Sequence, residues 1–281
     1  MIASVAAPTL TVGNNCPRAV WAVLRFGLLV LLLTFACSLA VLPWVELPWW
    51  KVARRCVSIA AALGLWMCIK RFEGRSFRSY GFSTAREGKR QLAFGLCLGV
   101  GALMTLFVIG LLTGACRLDI TPDRARLWRT VLGFIPAAAL VGVLEELVFR
   151  GFILQQLLAC SKALAIVASS ALYALVHLKT TVFGHAIWLE LGGLFLLGGV
   201  LAMSVLLTHQ LSLAIGLHAA LAYGARVNKL LVTFPDASIT WLTGTSRLVN
   251  GLAGWAALLG IGGLIMWWVR SSQGGARHAQ S

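Results

Sequence analysis

Two adjacent carboxylates and an arginine lie at the end of an otherwise apolar run of this sequence. Glu145, Glu146 and Arg150 follow residues 130–144, which read TVLGFIPAAALVGVL and have the composition of a membrane helix. Charged side chains inside a membrane cost about 2.5–3.5 kcal/mol each to insert, so they are rare and usually functional. In a helix, Glu146 and Arg150 can pair across four residues, whereas Glu145 points about 100° away from Glu146. We therefore predict an ion pair beside a carboxylate suited to proton transfer, with a purely structural ion pair as the alternative.

Two histidines within apolar helices could act together with these carboxylates. His177 lies four residues after Tyr173, on the same helix face, and His218 lies in the apolar run LAIGLHAA. A glutamate and a histidine together can take a proton from water, and a second histidine can stabilise the oxyanion that follows. A single intramembrane histidine more often hydrogen-bonds to a neighbouring group, so the prediction rests on the combination. The other histidines, at positions 185, 209 and 278, fall at predicted span ends or in the C-terminal tail.

The composition is that of a protein that crosses the bilayer many times. Of 281 residues, 59% are hydrophobic and 12% are charged, and the mean hydropathy is +0.86. Soluble chains contain about 25% charged residues. The net charge of +15 fits loops that face anionic lipid headgroups, and no nucleic-acid-binding motif accompanies it. The bilayer is therefore a predicted partner and nucleic acid is not. The seven cysteines lack C-x-x-C or metal-site spacing and are interpreted as small core residues.

Eight apolar segments predict eight transmembrane helices and an all-α fold. A single transmembrane domain is expected over residues 26–270, after an N-terminal segment 1–25 and before a disordered tail 271–281. The seventh segment is short for a hydrocarbon core about 30 Å thick, so we expect it to be buried among its neighbours. The predicted spans cover residues 26–42, 52–69, 91–112, 130–149, 163–178, 188–207, 211–223 and 251–269.

The most basic loop sets the predicted orientation. Residues 70–90 contain seven basic residues against Glu73 and Glu87, so the positive-inside rule places this loop in the cytoplasm. The four arginines of residues 113–129, on the opposite side by parity, fit the rule poorly. The chain is therefore predicted to be a multi-pass protein of the cell (inner) membrane, with its charged motif toward the cytoplasmic leaflet.

Three short motifs of this sequence resemble those of the Abi, or CAAX protease (CPBP), family. Residues 145–151, EELVFRG, match the EExxxR motif of that family, which contains type II CAAX prenyl endopeptidases and bacteriocin-processing or bacteriocin-immunity proteins. Tyr173 to His177 resembles the second motif, FxxxH, with tyrosine in place of phenylalanine. His218 resembles the histidine of the third motif, HxxxN or HxxxD. The resemblance covers about residues 75–230.

The resemblance implies a fold, a reaction and a set of site residues. The family forms an eight-helix bundle around an intramembrane polar cavity open toward the cytosol, and is regarded as hydrolysing peptide bonds with glutamate-activated water. Carried over to this sequence, Glu145 would be the general base, assisted by His177, and His218 would contact the oxyanion. Glu146 and Arg150 would be the orienting pair. Two glutamates and two histidines could also hold Zn²⁺, but the engagement of Glu146 by Arg150 favours a site without a metal or other cofactor.

One position departs from the family pattern. Ala222, four residues after His218, stands where the family commonly has asparagine or aspartate. If that side chain helps to stabilise the oxyanion, its absence lowers turnover by about 10²–10³-fold. Tyr223 and Asn228 are nearby polar residues, but Tyr223 points about 100° away on the helix and Asn228 lies beyond the predicted span.

Three functions are open on the sequence alone. The favoured one is an intramembrane endopeptidase that cleaves a membrane-associated protein or peptide. The second is a non-catalytic bacteriocin-immunity or binding protein of the same fold, which Ala222 supports. The third is a proton-coupled transporter with Glu145 as the carrier. A transporter requires polar residues along a path, and the first three predicted spans contain few. The sequence predicts no particular substrate, cleaved bond or oligomeric state.

Overall fold

The computed structural model describes residues 15–73, 80–82, 86–121, 123–178, 184, 186–244 and 248–278, which are predominantly helical. Short 3₁₀ segments lie at Leu42–Trp44, Ala237–Ile239 and Leu248–Asn250, and π-helical segments at Cys68–Glu73 and Leu147–Ile153. Two short strands, β1 (Arg117–Leu118) and β2 (Val232–Thr233), pair antiparallel. The α-helices are α1 (Cys16–Val41), α2 (Trp49–Met67), α3 (Arg86–Leu112), α4 (Arg124–Glu146), α5 (Leu154–Leu157), α6 (Lys162–His177), α7 (Ala186–Thr208), α8 (Ser212–Leu231), α9 (Thr240–Thr243) and α10 (Leu252–His278).

The prediction of an all-α protein that crosses a membrane several times is confirmed. Among the described residues, six helical segments are long and apolar enough to cross, against eight predicted spans. The two other predicted spans correspond to α6, a shorter apolar helix of 16 residues, and to α8, which carries Arg226 and Lys229 near its end. Helix α10 extends to His278 and so includes residues 271–278 of the predicted tail. The six segments are Cys16–Trp44, Trp49–Lys70, Arg86–Leu112, Arg124–Leu157, Ala186–Thr208 and Leu252–Ser272.

Helix α8 lies at the centre of the bundle. Residues 211–221 are all buried, in agreement with the prediction that the seventh span is enclosed by its neighbours. Helices α3 and α4 both pack against α8, while α7 packs against α6 and α10, and α1 packs against α2 and α5. The buried apolar side chains of these helices form one continuous core. The first half of α8 is therefore a rigid support for any side chain that it carries.

Glycines allow α3 to approach α8 closely. A Cβ atom added at Gly95 of α3 would overlap the backbone carbonyl of Leu213, and one added at Gly216 of α8 would overlap the carbonyl of Leu92. Each helix thus presents a glycine to the backbone of the other. Small residues are used in this way where membrane helices pack backbone to backbone.

Alanine at Gly95 should destabilise the bundle, because its Cβ would meet a backbone atom that cannot move alone. We expect Gly95→Ala to lower the free energy of unfolding by about 1–3 kcal/mol, the usual cost of overpacking. Gly101 of the same helix has no heavy atom within 4 Å of an added Cβ, so Gly101→Ala is the matched control and should leave stability unchanged or slightly higher. Melting curves in detergent measure both, and equal curves for the two variants would contradict the close approach of α3 and α8.

The charged motif lies where α4 passes into a π-helical segment. Leu147–Ile153 follows directly on Glu146, and every residue of the segment is buried. At its end the N–H of Leu154 donates to the carbonyl oxygen of Phe149, a spacing of five residues. Such wide turns are rare and occur frequently at functional sites. Here the wide turn holds Arg150 inside the protein, with helical residues on both sides of it.

The interpretation of the cysteines as small core residues is wrong for one pair. Cys16, at the start of α1, and Cys160, in the turn after α5, form a disulfide with 4.5 Å between their Cα atoms. They are 144 residues apart, and their positions in the sequence give no sign of pairing. Of the remaining cysteines, Cys56, Cys68 and Cys116 are buried, in agreement with that interpretation.

Candidate active site

Five charged or titratable side chains meet inside the bundle. Glu145 and Glu146 end α4, Arg150 lies in the π-helical segment, His177 ends α6 and His218 lies in the first half of α8. All five belong to one chain of ion-pair contacts. The structure therefore brings together the five residues singled out from the sequence, and their chemical roles stay predictions.

A fully buried carboxylate lies at the centre of this group. Oε1 of Glu146 accepts hydrogen bonds from Nη1 of Arg150 and from Nδ1 of His218, both at 2.7 Å. Nη2 of Arg150 also donates to the carbonyl oxygen of Gly198 on α7, at 3.1 Å. The side chains of Glu146 and Arg150 are both 0% exposed, so the pair expected from their four-residue spacing is present and shielded from solvent. One carboxylate oxygen thus orients both the guanidinium and an imidazole ring.

The second carboxylate lies in a different environment. Oε2 of Glu145 is 2.9 Å from Nε2 of His177 and 3.5 Å from Nε2 of His218. The side chains of Glu145 and His177 are 27% and 24% exposed, so both can be reached from outside the core. Glu145 has no partner in its own helix, as expected, but it gains two partners from neighbouring helices. Of the two glutamates, only Glu145 combines histidine contacts with accessibility.

One contact of His177 assigns the hydrogen on one of its ring nitrogens. Nδ1 lies 2.8 Å from the carbonyl oxygen of Tyr173, and because a carbonyl can only accept, Nδ1 carries the hydrogen. Nε2 is the ring nitrogen that lies near the carboxylate of Glu145, 2.9 Å from Oε2. Glu145 and His177 therefore form a two-residue unit in which a carboxylate oxygen faces a ring nitrogen.

Tyr173 was part of a motif in the sequence, but its own contacts were not anticipated. Its hydroxyl lies 3.5 Å from Nε2 of His218, and its ring lies 4.6 Å below the guanidinium of Arg150. The ring of Phe149 meets it edge-on, with 5.2 Å between centroids. Its spacing of four residues before His177 is the sequence signal that places both side chains on one helix face.

The carbonyl of Gly198 was also missed, and the sequence offers no signal for it. A Cβ atom at Gly198 would lie 2.9 Å from Cα and Cβ of Ser170 on α6, so the glycine permits the close approach of α6 and α7. That approach places an α7 carbonyl within reach of Arg150. A backbone acceptor of this kind can be recognised only once the helices are packed.

In the structure, Tyr223 is not free to take the place of the polar residue that the family has at position 222. The hydroxyl of Tyr223 donates to the carbonyl oxygen of Val131 on α4, at 2.9 Å, and is thus already engaged. On α8, the group that faces Glu145 is Nε2 of His218. Beside it, the hydroxyl of Tyr173 is a second donor.

The donor atoms that a metal ion would use are largely engaged within the protein. Glu146 and both nitrogens of His218 contact other side chains of the site, and Nδ1 of His177 contacts a carbonyl. Within the described ranges, no group of three or more His, Cys, Asp or Glu side chains has the arrangement of a metal site. A metal ion that used Oε1 of Glu146, either nitrogen of His218 or Nδ1 of His177 would have to replace the contacts that orient these residues.

Comparison with known proteins agrees with the motifs. Residues 127–223 match the family model described as Type II CAAX prenyl endopeptidase Rce1-like, and this segment contains all five charged or titratable residues of the site. No curated protein and no solved structure gives a significant match. The family is one of membrane proteases, and the helices that position the site residues are those of the matched segment. This match covers about a third of the chain and supports its resemblance to the CAAX protease family.

Proposed function

We propose that this protein is an intramembrane endopeptidase that hydrolyses a peptide bond of a membrane-associated protein or peptide with glutamate- and histidine-activated water. The observation that carries the proposal is the contact of Oε2 of Glu145 with two histidines, at 2.9 and 3.5 Å, in a side chain that is partly exposed as a whole. A carboxylate so placed has both the partners and the access that a general base needs.

The base in this proposal is the Glu145–His177 unit. Oε1 of Glu145 is the oxygen that does not face the histidines, and it accepts a proton as water attacks the carbonyl carbon of the substrate. The unit then gives a proton to the amine nitrogen as the peptide carbon–nitrogen bond breaks. His177 is oriented for this exchange by the Tyr173 carbonyl.

The oxyanion of the tetrahedral intermediate is stabilised by His218 in this mechanism. Nδ1 of His218 donates to the buried carboxylate of Glu146, and in this mechanism a hydrogen on Nε2 of the same ring donates to the oxyanion. Arg150 in turn fixes Glu146 and neutralises its charge. The orienting pair thus acts through His218, and we place the hydroxyl of Tyr173 beside it as the second donor.

The role of Tyr173 can be tested by restoring the family pattern. Tyr173→Phe should lower kcat by about 10²-fold, the usual effect of losing one oxyanion donor, with KM and melting temperature little changed. A Tyr173→Phe, Ala222→Asn double variant carries both family residues and should recover part of the loss. Tyr223→Phe is the matched control, because its hydroxyl bonds to Val131 outside the site, and should cleave at the wild-type rate. Wild-type kcat in Tyr173→Phe would remove Tyr173 from the mechanism.

Two further properties belong to the proposal. The reaction proceeds without a metal, because the contacts of Glu146 and His218 hold the site in its working arrangement. The chain lies in the cell membrane with the site toward the cytoplasmic leaflet, as the seven basic residues of the segment 70–90 indicate.

The second candidate, a non-catalytic immunity or binding protein, is favoured by Ala222, since the polar side chain of the family pattern is absent there.

Profiling of C-terminal peptides tests the proposed function. Membrane proteins are collected from cells that produce the wild-type chain or Glu145→Gln, and new C-termini are expected only with the wild type. The identified substrate is then incubated with purified protein before and after exhaustive chelation, with metal content measured. Cleavage that survives chelation supports the metal-free mechanism, and loss that stoichiometric zinc restores contradicts it. Identical C-termini in both cell lines would favour the non-catalytic alternative.

A further inference from the structure

An open polar cavity lies at the other end of α4, away from the candidate active site. It has a volume of about 350 Å³ and lies between the beginning of α4 and the second half of α8. From Phe134 at this cavity to Glu145 there are eleven residues of helix, or about 16 Å. The proposed mechanism uses none of the lining residues, which are Arg126, Arg129, Thr130, Gly133, Phe134 and Arg226.

The cavity is positively charged and lacks a compensating carboxylate. In the part of the chain that the structure describes, none of the guanidinium groups of Arg126, Arg129 and Arg226 lies within ion-pair distance of an acidic side chain. Asp123, the nearest acidic residue in sequence, accepts the backbone N–H of Arg126 at 2.8 Å as the cap of α4. Three guanidinium groups around one cavity repel each other, and a bound anion would relieve that repulsion.

The other residues that line the cavity leave room for an anion with several oxygen atoms. Gly133 leaves the floor open, since no heavy atom lies within 4 Å of an added Cβ. Thr130 adds a hydroxyl to the donors of the three arginines. Guanidinium groups match the geometry of phosphate oxygens and form paired hydrogen bonds with them.

The surroundings of the cavity indicate that the phosphate belongs to a lipid. Trp128, exposed between Arg126 and Arg129, is of the residue type that marks the membrane interface. Further along α4, the side chains of Leu132 and Ile135 are also exposed, as expected for a surface that contacts acyl chains. An anion bound at the arginines would therefore sit at headgroup depth, directly above a hydrocarbon-facing surface.

We propose that the cavity formed by Arg126, Arg129 and Arg226 binds the phosphate headgroup of an anionic phospholipid. The lipid would join the first turns of α4 to the second half of α8. Those two helices also carry Glu146 and His218, so the bound headgroup would stabilise the helix pair that positions the active-site carboxylate and imidazole.

Lipid binding to the purified full chain in detergent tests this proposal, with native mass spectrometry or a fluorescent lipid as the readout. The probes are phosphatidylglycerol, phosphatidylcholine and inorganic phosphate. We expect phosphatidylglycerol to bind, and to lose about fivefold in affinity for each of Arg126→Gln, Arg129→Gln and Arg226→Gln, and about a hundredfold for all three together. The matched control is the triple variant Lys51→Gln, Arg54→Gln, Arg55→Gln, which removes three exposed cations elsewhere on the chain and should bind like the wild type.

Four results would overturn the proposal. Equal binding of phosphatidylglycerol and phosphatidylcholine would mean that charge is not recognised. Competition by inorganic phosphate at the same concentration as the lipid would make the cavity a site for a free anion. An equal loss in the control triple variant would assign binding to general surface charge. Unchanged binding in all three single variants would exclude the cavity as the binding site. Each single variant keeps two of the three cations, so these variants still decide the question if the triple variant fails to fold.

Discussion

Replacement of Glu145 by glutamine is expected to reduce peptide cleavage by about 10²–10⁴-fold, the contribution of a general base to an enzymatic reaction. Glutamine keeps the size of the side chain and its neutral hydrogen bonds but cannot accept the proton of water. The partners of Glu145 are two histidines, and its side chain is partly exposed. Its loss therefore leaves no fully buried cation without a counter-charge, and the melting temperature in detergent should change little.

A control glutamate separates loss of the base from loss of any negative charge. Glu87 of α3 is also ion-paired, with Oε2 at 3.1 Å from Nε of Arg90, but it lies on the surface of the protein. Glu87→Gln should leave both cleavage and melting temperature at wild-type values, because exposed ion pairs contribute about 0–1 kcal/mol. Full cleavage by Glu145→Gln would show that another group takes the proton and would end the assignment of Glu145 as the base.

Glu146→Gln is expected to act on stability as well as activity. It leaves the fully buried Arg150 without its counter-charge, and breaking a buried pair by removing one partner typically costs about 3–5 kcal/mol. It also takes the charged acceptor from Nδ1 of His218. Lower yield, a lower melting temperature and lost cleavage should therefore appear together. Glu145→Gln is the matched comparison, because it makes the same substitution at the adjacent residue of the same site.

The double variant Glu146→Gln, Arg150→Gln tests whether the cost arises from the unpaired charge. Arg150→Gln alone should also be destabilising, because it leaves the buried carboxylate of Glu146 with His218 as its remaining polar partner. With both charges removed, the melting temperature should exceed that of either single variant, although cleavage stays low. Strictly additive losses would mean that the two side chains do not interact. Equal stability of Glu145→Gln and Glu146→Gln would contradict the burial difference between the two carboxylates.

The sequence could predict those parts of the site that depend on spacing along one helix. The four-residue interval between Glu146 and Arg150 predicted their ion pair, because residues with this spacing lie on the same helix face. His177 and His218 are 41 positions apart in sequence, and only the family motifs and their apolar surroundings placed them with the glutamates. The convergence itself depends on packing, which places α6 and α8 beside the end of α4.

Other features have no local cause and could not be predicted. The π-helical turn around Arg150 occurs in a run of apolar residues whose pattern is equally that of an α-helix. Helix α8 was expected to end at Tyr223, where the apolar run stops, but it continues to Leu231. Tyr223, at the start of this extension, donates a hydrogen bond to the backbone of α4. In each case tertiary packing, rather than the hydrophobic pattern, decides the local structure.

The disulfide between Cys16 and Cys160 makes the chain a reporter of its own orientation in the membrane. Disulfides persist in oxidising compartments such as the bacterial periplasm and are rare in the cytosol. Gln155, on the short helix just before Cys160, donates to the carbonyl oxygen of Tyr80, so the cysteine pair lies at the same end of the bundle as Tyr80, a residue of the basic sequence 70–90. The proposed orientation, with that end in the cytosol, therefore predicts that the two thiols are reduced and react with alkylating reagents, whereas the disulfide in the structure fits that end outside. The redox state of two native cysteines, read by mass in unmodified cells, therefore records the topology of the bundle without a fusion tag.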